Sequence, residues 1–271
     1  INEFLKEKSE IDNKPNGLRE LKGKIEFKNV SFIYSQSKIK ALNKVSFTVK
    51  ERKSLGLIGV TGSGKTTALK LITRSYNLNS GQILIDDKPI SDFDLEFLRK
   101  NIGVVPQDSF LFSDTIIDNI KFGNENATEK EIEKVCKIAG IHEEIMKFNE
   151  GYKTMLGERG VNLSGGQKQR ICIARALIKK PKILILDDCL SALDTETEEK
   201  IIVALKSYIK NSTTIISSHR LSSVQSLDEI LVFENGKIIQ SGSHEKLMNE
   251  KGYYNELYGK QLVKKDERNS L

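Results

Sequence analysis

Within the run LIGVTGSGKTTALKLI, Leu57 to Ile72, residues Gly59, Gly64, Lys65 and Thr66 keep the spacing G-x-x-x-x-G-K-[ST]. Such a loop is built to hold phosphate. Its glycines let the chain wind tightly, so that successive N–H groups, those of Thr61, Gly62, Ser63 and Gly64 among them, turn inward onto phosphate oxygens. A helix beginning at Lys65 brings Thr66 and Thr67 to the same place and adds its positive dipole end. Lys65 has the length to reach the outer phosphates, and the Thr66 hydroxyl is a ligand for Mg²⁺. The pattern predicts a site for a nucleoside triphosphate.

A second string supplies the carboxylates. Ile183-Leu-Ile-Leu reads as a buried strand that delivers Asp187 and Asp188 at its end. Asp187 is thereby predicted to meet Mg²⁺, directly or through water. A third string, Leu163-Ser164-Gly165-Gly166-Gln167, precedes another helical run, and a serine with two glycines at a helix start is a second anion-receptive terminus.

These groups need a scaffold, and the rest of the chain reads as one. Strand-like runs recur at Lys24 to Val30, Val45 to Val49, Ser54 to Ile58, Gln82 to Ile85, Ile102 to Val105, Ile183 to Leu186, Thr213 to Ser217 and Glu229 to Phe233. Glu234-Asn-Gly-Lys237 is a hairpin turn into Ile238 and Ile239. Helical runs lie between, at Lys65 to Arg74, Gln167 to Lys179 and Glu196 to Lys210. Alternating strands and helices predict an α/β sheet that binds ligand at the carboxyl ends of its strands. Thr115 to Phe148 has no clear strand and a helical pattern around Glu129 to Ala139, so it is predicted to be an inserted helical subdomain.

With 271 residues, 38% hydrophobic and 30% charged, the chain is long enough for a sizeable core. The net charge of +6 is spread as Lys among Glu, which argues only weakly for nucleic acid or anionic lipid. Cys136, Cys172 and Cys189 form no C-x-x-C pair, which fits a reducing compartment better than a disulfide framework or a zinc site. No run approaches the ~20 apolar residues of a membrane span. INEFLKEKSEIDNKPNG, opening on Ile1 rather than Met, reads as a short amphipathic piece and a polar linker, as if continuing a longer protein. Lys264 to Leu271 reads as a polar tail that frays.

LSGGQ at Leu163 to Gln167, in order between the phosphate loop and Asp187, is similar to the signature of ATP-binding cassette (ABC) transporter nucleotide-binding domains, and the resemblance runs from about Gly23 to Gln261. It implies a P-loop, RecA-like α/β core with an N-terminal antiparallel β subdomain and an inserted helical subdomain at about 108–180. In that layout residues 1–22 are a linker from a transmembrane domain, 23–262 the nucleotide-binding domain and 263–271 the tail. The resemblance also implies ATP and Mg²⁺ as the bound groups, and site residues by position. Tyr34 would stack on adenine, at about 1–3 kcal/mol by analogy with other base stacking, although a tyrosine here also suits the core of the small sheet. Gln107 would meet Mg²⁺ and touch the membrane part, and Ser191-Ala-Leu-Asp194 would cross to a second cassette. His219 would contact the γ-phosphate, whereas His142 and His244 are bystanders. Ser164, Gly165, Gly166 and Gln167 would complete the site of the opposing domain. Gly157-Glu-Arg-Gly160 and Val104 to Ile116 look like exporter sequence. An exporter module would work at the cytoplasmic face of a membrane as a soluble domain. A separate importer ATPase subunit and a soluble ABC-type ATPase acting on nucleic acid or ribosomes are the rival readings.

At one position the resemblance breaks. Most members of the family carry Glu after the Mg²⁺ aspartate as the base that polarises water, and this chain has Asp188. One methylene fewer withdraws the carboxylate by roughly 1.5 Å. The sequence therefore predicts intact ATP binding and slow hydrolysis at this chain's own site, as in one subunit of heterodimeric exporters. The alternative is a homodimer in which Asp188 moves in and serves.

Overall fold

The computed structural model describes residue 11 and residues 13–269. Most of the amphipathic piece at the start of the chain, and Ser270 and Leu271, lie outside them. Two sheets divide the strands. In the smaller, β1 (Ile25–Ile33), β2 (Lys40–Val49), β4 (Ser80–Ile85) and β5 (Lys88–Pro89) pair antiparallel in the order β2-β1-β4-β5. In the larger, β3 (Ser54–Gly59), β6 (Ile102–Val105), β7 (Ile183–Asp187), β8 (Thr213–Ser218), β9 (Glu229–Glu234) and β10 (Lys237–Gly242) follow the order β10-β9-β3-β8-β7-β6. All neighbours in it are parallel except β9 and β10, which form the expected hairpin at Asn235-Gly236.

The parallel strands read as unbroken apolar runs because both of their faces are buried. Side chains alternate across a strand. In β7, Ile183 and Ile185 enter a core shared with the small sheet and α1 (Lys65–Ile72), while Leu184 and Leu186 enter the core shared with the helical lobe. β8 divides Ile215 and Ile216 in the same way. Helix α1 sends Ala68, Leu69, Leu71 and Ile72 into the first core. It is therefore clamped against both sheets, and the phosphate-type loop ahead of it is fixed.

Beyond α2 (Leu95–Lys100), the helical lobe holds α3 (Ile116–Lys121), α4 (Glu129–Ile138), α5 (His142–Ile145) and α6 (Gly165–Ile178). The remaining helices are α7 (Thr195–Ile209), α8 (His244–Asn249) and α9 (Tyr253–Asn269). Helices α2, α3, α5 and α8 have no more than six residues, too few for an apolar period to show. Side-chain caps start three of them: Asp94, Thr115 and Ser243 each accept from the backbone N–H three residues on, in α2, α3 and α8. The polar C-terminal run, expected to fray from Lys264, continues α9 through Asn269. Tyr254 fixes the start of that helix, fully buried with its hydroxyl 2.8 Å from Nδ1 of His244.

Candidate functional site

A cleft of about 260 Å³ opens at the carboxyl ends of β3, β8 and β7. Its walls include Tyr34, Thr61, Gly62, Ser63, Gly64, Lys65, Thr66, Thr67, Gln107, Asp187, Asp188 and His219, drawn from five separate stretches of sequence. The strand order explains the convergence. β8 lies between β3 and β7, so the loop after β3, Ser217 and His219 at the end of β8, and Asp187 and Asp188 at the end of β7 share one crevice.

The loop after β3 demands glycine. Gly64 has φ of 109°, and a Cβ there would lie 2.5 Å from the Ala41 carbonyl oxygen. At Gly59 an added Cβ would come within 2.2 Å of the Phe233 carbonyl oxygen. The ammonium of Lys65 is buried and donates to the carbonyls of Gly59 at 2.7 Å and Val60 at 3.0 Å. Burial holds its pKa below the usual lysine value, opposed by the nearby charges of Asp188 and Asp187. The Thr66 hydroxyl donates to Oδ1 of Asp187 at 3.1 Å, tying the two strings together. Tyr34 is half-buried, edge-on to Phe32 and Tyr76, and its hydroxyl lies 3.0 Å from Oγ1 of Thr67.

Asp188 is buried, with Oδ2 3.9 Å from Nε2 of His219 and φ of 46°. Burial raises its pKa above the ordinary carboxylate value, and the neighbouring His219 works the other way. The folded protein thus holds this proton more tightly than the unfolded chain does. That contribution is fully present below the ordinary value of 3.8 and is lost as pH rises through the raised one. At neutral pH the ionised carboxylate opposes folding. Asp188→Asn removes that charge, and Asn tolerates the left-handed backbone. We expect its Tm at pH 7 to exceed that of wild type, with no gain near pH 3.5. Equal Tm differences at both pH values, by scanning calorimetry, would contradict the buried-charge account.

The signature residues do not line this cleft. Ser164 caps α6, accepting from the Gln167 N–H at 3.2 Å, while Oε1 of Gln167 accepts from the Ser164 N–H at 2.9 Å, a reciprocal capping box. Ser164 and Gly165 are exposed, so the first turn of α6 faces solvent. Gln167 also donates to Glu144, which a forked pair of bonds from Arg170 holds at 2.6 and 3.0 Å.

Several residues around the site gave no signal in the sequence. Ser217 lines the cleft with its hydroxyl buried and unpartnered. A polar residue closing an apolar parallel strand was the one available hint. Arg220 donates to the Ser191 and Leu193 carbonyls and to Glu198, whose fully buried carboxylate also accepts from Ser222 and Ser223. Gln261 bonds the backbone at His219 and Leu221. Such partners lie dozens of residues apart and leave no local pattern.

Oxygen ligands, an ammonium, a glycine-bearing loop ahead of a helix and an orphaned hydroxyl suit a phosphate-bearing nucleotide with a hard cation. The fold and this site define a P-loop nucleotide-binding protein. Comparison with known proteins narrows the class. The ABC transporter family matches residues 42–191. The chain is 48% identical over 258 residues to the "uncharacterized ABC transporter ATP-binding protein YknU" of Bacillus subtilis (strain 168), covering 94% of this chain and 44% of that protein. It is 46% identical over 258 residues to human ATP-binding cassette sub-family B member 6, covering 94% of this chain and 30% of that one. Among solved structures, a bacterial Atm1-family ABC exporter with ATP bound superposes with a TM-score of 0.90 at 38% identity, over 96% of this chain and 46% of that chain. The chain belongs to the ABC transporter family. It spans less than half the length of these relatives.

Proposed function

We propose that this chain is the ATP-binding and hydrolysing module of a membrane exporter, closing head-to-tail with a second cassette around ATP to drive translocation. The observation that carries the reading is the division of the site. The loop, Asp187, Asp188 and His219 share one cleft, while Ser164 to Gln167 lie outside it at another place on the same chain, with Ser164 and Gly165 exposed. Each surface is half of a site, and a second chain supplies the complement.

In this reading the N–H groups from Thr61 to Thr67 and the Lys65 ammonium hold the outer phosphates, and Tyr34 and Ile39 face the base. Thr66, Asp187 and Gln107 hold Mg²⁺, which when bound neutralises charge on the phosphates. Asp188 orients water, and His219 donates toward the terminal phosphate. Ser164, Gly165, Gly166 and Gln167 serve the partner's nucleotide. Residues 1–22 connect to a transmembrane domain, 23–262 form the nucleotide-binding domain with its helical subdomain at about 108–180, and 263–271 trail from it. Among the described residues no helix is long and apolar enough to cross a membrane. A cleft of about 480 Å³ between the core and the helical lobe, lined by Val104, Pro106, Phe122 and Arg175, suits docking of a membrane-domain segment at the cytoplasmic face.

The test is assembly. Light scattering is expected to give monomer without nucleotide and a growing dimer fraction with Mg²⁺-ATP, with turnover per chain rising with protein concentration. In this reading a membrane part raises the local concentration of the two cassettes in the full assembly. Turnover independent of concentration, from a species that stays monomeric, would sink the divided-site reading.

A further inference from the structure

We infer that Gln261, on the C-terminal helix, is a positioning residue for His219, and so ties α9 to the nucleotide site. The inference rests on the role proposed above for His219. After β8 the chain leaves the sheet through Ser218, His219 and Arg220. Neither the His219 carbonyl nor the Leu221 N–H is part of a strand or helix ladder, yet both are satisfied by one side chain. Nε2 of Gln261 donates to the His219 carbonyl at 2.8 Å, and Oε1 of Gln261 accepts from the Leu221 N–H at 3.0 Å. A primary amide offers a donor and an acceptor side by side, so it grips residues i and i+2 of an extended backbone as a neighbouring strand would. Backbone on either side of Arg220 is thereby fixed, and the His219 side chain, which starts from the gripped residue, is aimed at the cleft.

The grip is anchored at its own end. Tyr254, the second residue of α9, is fully buried, its hydroxyl bonded to His244, and its N–H donates to Oε1 of Gln240 at 3.0 Å. Tyr253, Leu257 and Tyr258 pack on the core that contains Leu221, Val224 and Leu227. Gln261 thus projects from a helix whose first two turns are held on the same core that takes in Leu221. The nearest substitutes do not reproduce the pair. Glu would set an acceptor against the His219 carbonyl, Asn falls one methylene short, and Leu fills the space with neither bond.

The chain has three histidines, so the His219 ring signal in its NMR spectrum is assignable by substitution. Gln261→Leu is expected to shift the His219 ring signal while leaving that of His142 in place. It should lower kcat for ATP about tenfold in concentrated chain, with KM within twofold of wild type. In a His219→Ala background the same change should alter kcat by less than twofold, because the two act through one group. Gln261→Glu should behave like Gln261→Leu, and it serves alone if the leucine variant fails to fold by circular dichroism. A tolerated Glu, an unmoved His219 signal, or an equal loss with and without His219 overturns the inference. If His219→Ala itself leaves turnover unchanged, the role proposed for His219 falls, while the His219 signal still decides whether Gln261 orients that ring.

Discussion

Lys65→Ala is expected to weaken Mg²⁺-ATP binding by about 10- to 100-fold, the worth of one or two hydrogen bonds to a charged group. The structure says why the fold should survive. Lys65 donates only to the Gly59 and Val60 carbonyls and, at 3.5 Å, to the Ser63 hydroxyl, all within its own loop. Its charged form is disfavoured by burial, so deleting the ammonium removes an unfavourable contribution along with those bonds. The glycines that shape the loop are untouched. Calorimetric titration beside a circular dichroism spectrum checks both halves of the expectation. Unchanged affinity in a folded variant would show that the cleft does not hold phosphate against this lysine.

How far the site could be read beforehand depends on how locally each part is specified. The phosphate-type loop was fully legible because its constraints are local: a tight turn, a strand before it and a helix after it, all within sixteen residues. Asp187 was legible because β7 is buried on both faces and so stands out as an apolar run. The strand positions followed for the same reason, with β1 and β2 longer than expected because their outer residues pair without a marked apolar pattern. The parts that escaped are those set by contacts across the fold. Glu198 looks like any solvent-facing acid in the first turn of α7, yet it is fully buried beneath Arg220. Gln261 sits between Lys260 and Leu262, in a stretch that carries no hint of its two bonds. Ser217 is one of several serines, and only the register of β8 against β7, which sets it beside Asp187, shows that it faces the cleft.

Asp188→Glu is expected to raise ATP turnover in forced dimers of this chain by up to ~10²-fold, since a displacement of about 1 Å in a catalytic group is worth that much. The geometry favours a withdrawn base. The Asp188 carboxylate stops 3.9 Å from the His219 ring nitrogen, and its charged form is disfavoured where it stands. A longer side chain extends the reach of the carboxylate within the cleft that Asp188 and His219 both line. The backbone opposes the change slightly, because φ of 46° suits Asp and Asn better than Glu. The variant should therefore be faster and a little less stable, a combination that improved folding alone would not produce. In an assembly with a partner cassette that carries Glu at this position, Asp188→Asn should reduce transport little. Substituting Ser164, exposed at the start of α6 for the partner's nucleotide, should abolish it. Transport assayed in vesicles decides between the two arrangements. If Asp188→Asn stops all turnover and Asp188→Glu brings no gain, the hydrolytic site is this chain's own and the asymmetric arrangement is wrong. Glu keeps the charge and lengthens the reach, whereas Asn keeps the reach and removes the charge, so the three side chains separate reach from charge at a single position.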